Sequence, residues 1–135
     1  YVSDITRTFV VGAPDPEWAA IHRLVEAANT AGRAAVRPGI PAEAVDRAAR
    51  AVIEAGGYGA QFLHRTGHGL GLEIHEPPYL VAGETTPLAP GMTFTVEPGI
   101  YLPGKGGVRI EDEVMVTEAG GEPLTTFPRE LQSVG

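Results

Sequence analysis

The 135-residue sequence predicts an α+β domain in which two helices pack on one face of an antiparallel sheet. Three observations carry that expectation. A β-branched run opens the chain and two stretches of helical periodicity follow it. From Gln61 onward the chain turns to short β-prone runs punctuated by glycine and proline. Hydrophobic residues make up 43% of the chain, enough to build one core at this length, and no repeat or linker divides it.

Taken in order, "YVSDITRTFVV" (Tyr1–Val11) is rich in β-branched residues and alternates well enough for a strand. In the loop "GAPDPEW", Asp15 is placed to cap a helix and Pro16 to fill its first position, where the missing N–H costs nothing. The helix is expected to run to about Val36, with Trp18, Ile21, Leu24 or Val25, Ala28 and Ala31 on one face. "RPGIP" breaks it. Pro41 then opens a second helix through about Ala55, striped by Val45, Ala48, Ala49 and Val52 and ended by Gly56 and Gly57. Beyond Gln61 the clearest strands are "MTFTVEPGIY" and "VRIEDEVMVT", with "GEPLTTFP" a weaker third.

Composition narrows the function classes. A net charge of −7 and the lack of any Lys/Arg run argue against a nucleic-acid partner. With no cysteine, a disulfide scaffold and a thiolate-held metal are both excluded; a cytoplasmic setting is compatible with this. No run of eighteen apolar residues marks a membrane-spanning helix. The chain opens on Tyr1 inside an expected strand, so it reads as a piece of a longer protein, and a missing leader carries no information.

Candidate chemistry gathers in "HRTGHGLGLEIHEPP", which holds His64, His68 and His75, three of the four histidines. His64 and His68 have the spacing of a helical zinc-protease pair, but Gly67, Gly69 and Gly71 disfavour a helix, and no glutamate follows His64 to act as base. These imidazoles therefore project from extended or looped backbone. His22, in the first helix with no motif around it, reads as an ordinary helical histidine.

The two C-terminal strands each carry an acid, Glu97 in "FTVEPG" and Glu111 in "VRIEDE". Val108, Ile110, Val114 and Val116 share one parity, and Arg109, Glu111 and Glu113 the other, so a solvated polar face accounts for these acids. Asp4 fits a strand less comfortably, because aspartate is depleted there. Taken with an imidazole, the three acids equally suggest a carboxylate-rich metal site of a kind that suits Mn, Fe, Co or Zn.

"SDITRTF", "GHGLGLEIHEPP", "TVEPGIY" and "VRIEDEVMVT" occur in that order, and together they closely resemble the pita-bread metallopeptidases, specifically the aminopeptidase P and prolidase branch. The resemblance covers Tyr1 to about Thr117. It implies a partial pita-bread fold, the C-terminal portion of one catalytic domain spanning residues 1–135, with two helices on a curved antiparallel sheet. It also implies a pair of divalent metal ions, commonly manganese, held by two Asp, one His and two Glu. On the matching positions Asp4 and Glu111 would bridge both ions, and His68 and Glu97 would complete the set. The remaining aspartate is expected upstream of Tyr1, so residues 1–135 alone are expected to be inactive or nearly so.

By the same resemblance Glu97 is the proton shuttle, His75 donates to the developing oxyanion or the substrate backbone, and His64 lines the pocket beyond the scissile bond. Arg109, two residues before Glu111, is expected to orient an acid. The implied reaction is hydrolysis of the bond between an N-terminal residue and a following proline, a tertiary amide that most peptidases fail to cut. "HEPP" and Arg109 favour this branch over methionine aminopeptidases. The set Asp4, His68, Glu97 and Glu111 counts against the metal-free creatinase-like hydrolases and against non-catalytic peptide-binding modules.

A dipeptidase must also read the free carboxylate of Xaa-Pro, ideally with an arginine. Glu76–Val96 holds no Arg or Lys, which leaves Arg65, Arg129, a segment outside residues 1–135 or a partner chain, and leans the expectation slightly toward aminopeptidase P. The family analogy adds a homodimer.

Overall fold

The computed structural model describes all of residues 1–135. Both helices begin near their expected signals. Helix α1 (Pro16–Ala35) is capped by Asp15, whose carboxylate accepts from the backbone N–H of Glu17 at 2.8 Å and of Trp18 at 3.4 Å. Helix α2 (Glu43–Ala55) starts two residues after Pro41. The loop ahead of Leu88 claims those residues instead: Pro41 bridges Pro87, and the Ala42 N–H donates to the Thr86 carbonyl at 3.0 Å. A 3₁₀ turn, Gly59–Gln61, leads from α2 into the strands.

Nine short strands follow the chain: β1 (Phe9–Val11), β2 (Gly67–Gly69), β3 (Glu76–Leu80), β4 (Thr93–Val96), β5 (Gly99–Leu102), β6 (Gly106–Arg109), β7 (Asp112–Thr117), β8 (Gly120–Pro123) and β9 (Gln132–Val134). The main sheet is antiparallel, in the order β3-β2-β4-β7-β8. A β5-β6 hairpin extends beside it, and β1 pairs in parallel with β9.

The helices cover one face of this system, as the α+β expectation requires. Val36 and Val45 meet Leu80, Phe94, Val96, Val114 and Val116 in one core. In a second, Ile21, Val25 and Ala28 of α1 meet Ile53 of α2 and Ile100, Val108 and Ile110 of the hairpin side. Burial of each such side chain contributes about 1.5–3 kcal/mol, so the face the helices cover is set by apolar area.

Three expected strands are shorter than the sequence suggested, for local reasons. Of Tyr1–Val11 only Phe9–Val11 is regular. Ahead of it, Thr6 forms a single bridge with Glu111, and the Thr8 hydroxyl replaces a ladder bond, accepting from the Arg109 N–H at 3.2 Å and donating to its carbonyl at 3.0 Å. "MTFTVEPGIY" splits into β4 and β5 at Glu97-Pro98, because proline has no N–H to give a ladder. "VRIEDEVMVT" splits into β6 and β7 at Ile110-Glu111. Both glutamates singled out from sequence therefore sit at breaks between strands.

Candidate metal centre

Strand β2 is wedged between β3 and β4, and glycine is what lets it fit. A Cβ on Gly67 would lie 1.8 Å from the Thr95 carbonyl oxygen, and one on Gly69 would lie 2.4 Å from that of Pro77. His68 stands between them, opposite Tyr79 in the β2–β3 register, while Gly67 stands opposite Leu80. Leu80 points into the core under the helices. Directly opposed residues share a sheet face and neighbours alternate, so His68 and Tyr79 face away from that core. The His68 Nδ1 lies 3.0 Å from the Gly69 carbonyl, which can only accept. Nδ1 is therefore the donor of that contact, and Nε2 is the ring atom turned toward the acids.

That Nε2 meets acids brought in by the strand breaks. Glu97 Oε1 is 3.3 Å from it and Asp4 Oδ2 is 3.9 Å from it. One ligand atom from each of Asp4, His68 and Glu111 lies within 4.8 Å of the others. Asn29 of α1 fixes both breaks at once. Its buried amide nitrogen donates to the Val96 carbonyl at 2.9 Å and the Ile110 carbonyl at 3.3 Å, the groups immediately before Glu97 and Glu111. Thr95 adds a link, accepting from the His68 N–H at 3.1 Å and donating to Glu97 Oε1 at 3.2 Å. On the other flank the Asp4 N–H donates to the Glu113 carboxylate, and the Thr6 hydroxyl donates to that of Glu111.

The carboxylates strain against this crowding. Burial pushes the Glu111 carboxyl up to about 7, and the nearby charges of Glu97 and Asp4 add to the rise, against a lowering hydrogen bond from Thr6 and the charge of Arg109. Burial also raises Glu97, partly offset by His64, Thr95 and Arg109. The solvated polar face that the strand parity allowed is thus not what forms: Glu111 is 3% exposed and Glu113 9%.

The remaining expected residues surround this cluster. The exposed His75 ring lies 4.2 Å from the His68 ring, centroid to centroid. The His64 Nε2 is 2.7 Å from the Tyr101 hydroxyl, which also accepts from Arg109 at 3.2 Å. Arg109 reaches Glu111 through an intermediary, donating from Nε to the Thr6 hydroxyl at 3.2 Å. His22 lies outside this cluster, within α1: it is 1% exposed, its Nε2 has no hydrogen-bond partner, and burial together with Arg23 lowers its pKa.

Sequence reasoning missed Thr6, Thr95, Tyr101 and Asn29, and it missed a second cluster behind the site. There Asp112 accepts from Arg7 at 2.8 Å, from Arg129 at 2.7 and 2.9 Å and from Thr125 at 2.7 Å. Arg7 also donates to the Glu111 carbonyl at 2.6 Å, tying the Asp4 segment to the Glu111 break. One signal was visible: Asp112 has the parity of Val114 and Val116, an acid on the buried face of its strand.

One imidazole nitrogen and crowded, half-desolvated carboxylates form a donor set for a hard or borderline metal ion, and a divalent cation would relieve the carboxylates' mutual repulsion. The residues present fit such an ion. The model of metallopeptidase family M24 matches residues 1–118. The chain belongs to this family. M24 membership itself implies divalent metal ions. This M24 chain is similar to the probable dipeptidase PepE of Mycobacterium tuberculosis, 50% identical over 97% of this chain and 35% of that protein. It is also similar to the Xaa-Pro dipeptidase of Pyrococcus furiosus, 49% identical over 97% of this chain and 38% of that one. The structure of an X-Pro aminopeptidase from Thermotoga maritima superimposes with a TM-score of 0.94 at 42% identity, over 98% of this chain and 38% of that one. The fold is therefore part of the pita-bread architecture expected for M24. The chain spans between a third and two fifths of the length of these relatives.

Proposed function

We propose that this chain provides most of the catalytic site of an enzyme that hydrolyses the bond between an N-terminal residue and a following proline. The observation that carries this reading is the convergence of Asp4, His68 and Glu111, from three separate segments, with ligand atoms within 4.8 Å of one another and Glu97 3.3 Å from His68 beside them. The names of the relatives support it, since both Xaa-Pro dipeptidases and an X-Pro aminopeptidase are among them.

In this reading Asp4, His68, Glu97 and Glu111 hold two divalent ions, with Mn(II) the first choice and Co, Zn or Fe the alternatives. When bound, such a pair supplies a nucleophile near neutral pH and polarises the scissile carbonyl. Glu97, fixed by Thr95 and close to His68, takes the proton of the attacking water at its carboxylate and delivers it to the proline nitrogen as the bond breaks. His75, exposed beside His68, donates to the oxygen on which negative charge develops. His64, steadied by Tyr101, forms the wall beyond the scissile bond. Arg109 holds Thr6 and Tyr101 in place and so orients Glu111 and His64. A homodimeric assembly, by family analogy, and a cytoplasmic location, with which the lack of cysteine is compatible, belong to the same proposal.

The test is an assay of the full-length gene product with Mn(II) on Ala-Pro and Ala-Pro-Ala. Release of alanine is expected, removed by a chelator and lowered about 10²–10⁴-fold in kcat by Glu97→Gln. Divalent binding without hydrolysis of either peptide would replace the enzyme with a metal-binding recognition module.

A further inference from the structure

Glu97 and Glu111 sit at breaks between strands, where the ladder that would hold them thins out. The β4–β7 register ends with Val96 opposite Asp112. Pro98 has no N–H, and the Ile110 N–H reaches the Pro98 carbonyl only at 3.4 Å. The spacing of the two glutamates therefore needs support from outside the sheet. The Asn29 amide supplies it through the Val96 and Ile110 carbonyls. A peptide unit is planar, so a held carbonyl also fixes the nitrogen and Cα of the residue that follows.

The amide must in turn be held the right way round. Turned by half a rotation, it would set its oxygen against both carbonyls, three acceptors facing one another. Arg33 prevents this. Its Nε, which can only donate, lies 2.7 Å from Asn29 Oδ1 and so commits the amide nitrogen to the two carbonyls. Four residues apart on α1, Asn29 and Arg33 share one face of the helix. A Cβ on Gly32 would lie 2.8 Å from Val96 Cγ1, so α1 approaches β4 closely enough for a side chain as short as asparagine to reach the sheet.

Arg33 has its own anchors. Its Nε is 3.6 Å from Asp112 Oδ2, and its Nη2 donates to the Thr30 hydroxyl at 3.3 Å. A continuous polar chain thus runs from Asp112 through Arg33 and Asn29 to the peptide units ahead of both glutamates. Asp112 does not need Arg33 for its charge, since Arg7 and Arg129 already approach it to 2.8 and 2.7 Å. Orienting the Asn29 amide is the task that no other cation performs.

We propose that Arg33 is a positioning residue: by orienting the Asn29 amide it fixes the spacing of Glu97 and Glu111, and with it the capacity of the centre to hold two divalent ions at once. The proposal rests on the two-ion reading above. A single ion can draw in whichever carboxylates approach it. A second ion needs both glutamates in register, so the loss of Arg33 falls on the second ion.

The experiment uses the full-length protein, stripped with a chelator and titrated with Mn(II). Calorimetry reads the affinities, and electron paramagnetic resonance separates a spin-coupled pair from isolated ions. The wild-type protein is expected to bind two ions and give the coupled signal. Arg33→Met keeps the bulk of the stem and loses the guanidinium. It should bind the first ion nearly as before and the second about 10–100-fold more weakly, with the coupled signal replaced by that of an isolated ion. Arg33→Lys, which keeps the charge without the planar fork, should fall between. Leu88→Ala, a truncation in the other core, should lower unfolding stability and leave both affinities unchanged. Wild-type affinity for the second ion in either Arg33 variant would overturn the proposal. So would a loss that Leu88→Ala reproduces, or a wild-type protein that binds one ion only. Two ions held in this Arg33-dependent way by a protein that cleaves neither Ala-Pro nor Ala-Pro-Ala would sustain the positioning role and end the hydrolase reading instead.

Discussion

Glu111 and Asp112 are adjacent in sequence and almost equally hidden, 3% and 0% exposed, yet their environments push them in opposite directions. Glu111 faces Glu97 and Asp4 and is raised to about 7. Burial would raise Asp112 as well, but hydrogen bonds from Arg129, Thr125 and Arg7 outweigh it and hold that carboxyl below its usual range. An acid surrounded by cations is a structural clamp. Buried acids gathered with few cations around them form a donor set that suits a metal ion, and perturbed carboxyls of that kind mark functional ground. One peptide bond separates the two roles because the break between β6 and β7 turns Glu111 toward His68 while Asp112 begins β7 facing the arginines.

The contrast breaks most severely at the clamp. Asp112→Ala leaves Arg7 and Arg129 facing each other without their anion, the situation in which breaking a buried pair costs about 3–5 kcal/mol. Denaturant unfolding of the full-length protein should show a loss on that scale, together with weaker divalent binding, since Arg7 also holds the Glu111 carbonyl. A loss under about 1 kcal/mol, the worth of an exposed ion pair, would mean that Asp112 clamps nothing. Asn29→Ala comes next. It orphans the Val96 and Ile110 carbonyls in the core, and about 1–3 kcal/mol is expected from buried acceptors left unpaired. Asn29→Asp, similar in shape but lacking the donor, should cost at least as much.

The pH response of the two acids separates them further. Glu111 keeps its proton in the fold to about pH 7 but only to about 4.5 when unfolded. Its contribution to metal-free stability is therefore complete below pH 4.5 and lost as pH rises from there through 7. Asp112 has the opposite sign: its contribution is present above the unfolded value, near 3.9, and lost as pH falls through its lower folded value. In the chelator-treated protein, Glu111→Gln should flatten the decline between pH 5 and 8 and leave the acid limb intact. Above pH 7 the same variant should bind Mn(II) at least 10–100-fold more weakly, because loss of an outer partner alone costs that much. Identical pH profiles for variant and wild type would show that Glu111 is not strained in the fold.

Much of the fold was legible because its signals are local. Asp15 and Pro16 announce α1, and the change of composition at Gln61 announces the strands. Asp4 stood out as an acid on an expected strand, but a solvated face accounted for Glu97 and Glu111. It was the resemblance of the four strings that joined them and His68 into one set. Thr6, Thr95 and Tyr101 did not stand out, since threonine and tyrosine are what strands favour and carry no surprise there. Their work appears only once Thr6 meets Glu111 and Tyr101 meets His64, across more than a hundred and more than thirty residues of chain respectively. Pro98 was a visible sign that "MTFTVEPGIY" could not be one strand, and Asp112 a visible sign that its buried face carried a charge.

The smallest expected effect tests whether the two regions are coupled through a single hydroxyl. Thr6 donates to the Glu111 carboxylate, accepts from Arg109 and lies beside Arg7, so it stands where the strained acid and the clamp meet. Thr6→Val keeps the β-branched shape and removes only the hydroxyl, at about 1 kcal/mol of stability. It also withdraws a hydrogen bond that favours the ionised carboxylate, so Glu111 should hold its proton to still higher pH. The metal-free decline in stability should then shift toward alkaline pH, and Mn(II) affinity near neutrality should fall about tenfold, the lower end of what an outer partner contributes. Thr6→Ser restores the donor and should restore both. If Thr6→Val lowers stability without moving the pH profile or the Mn(II) affinity, the hydroxyl merely fills space, and the difference between Glu111 and Asp112 is set by burial and the arginines alone.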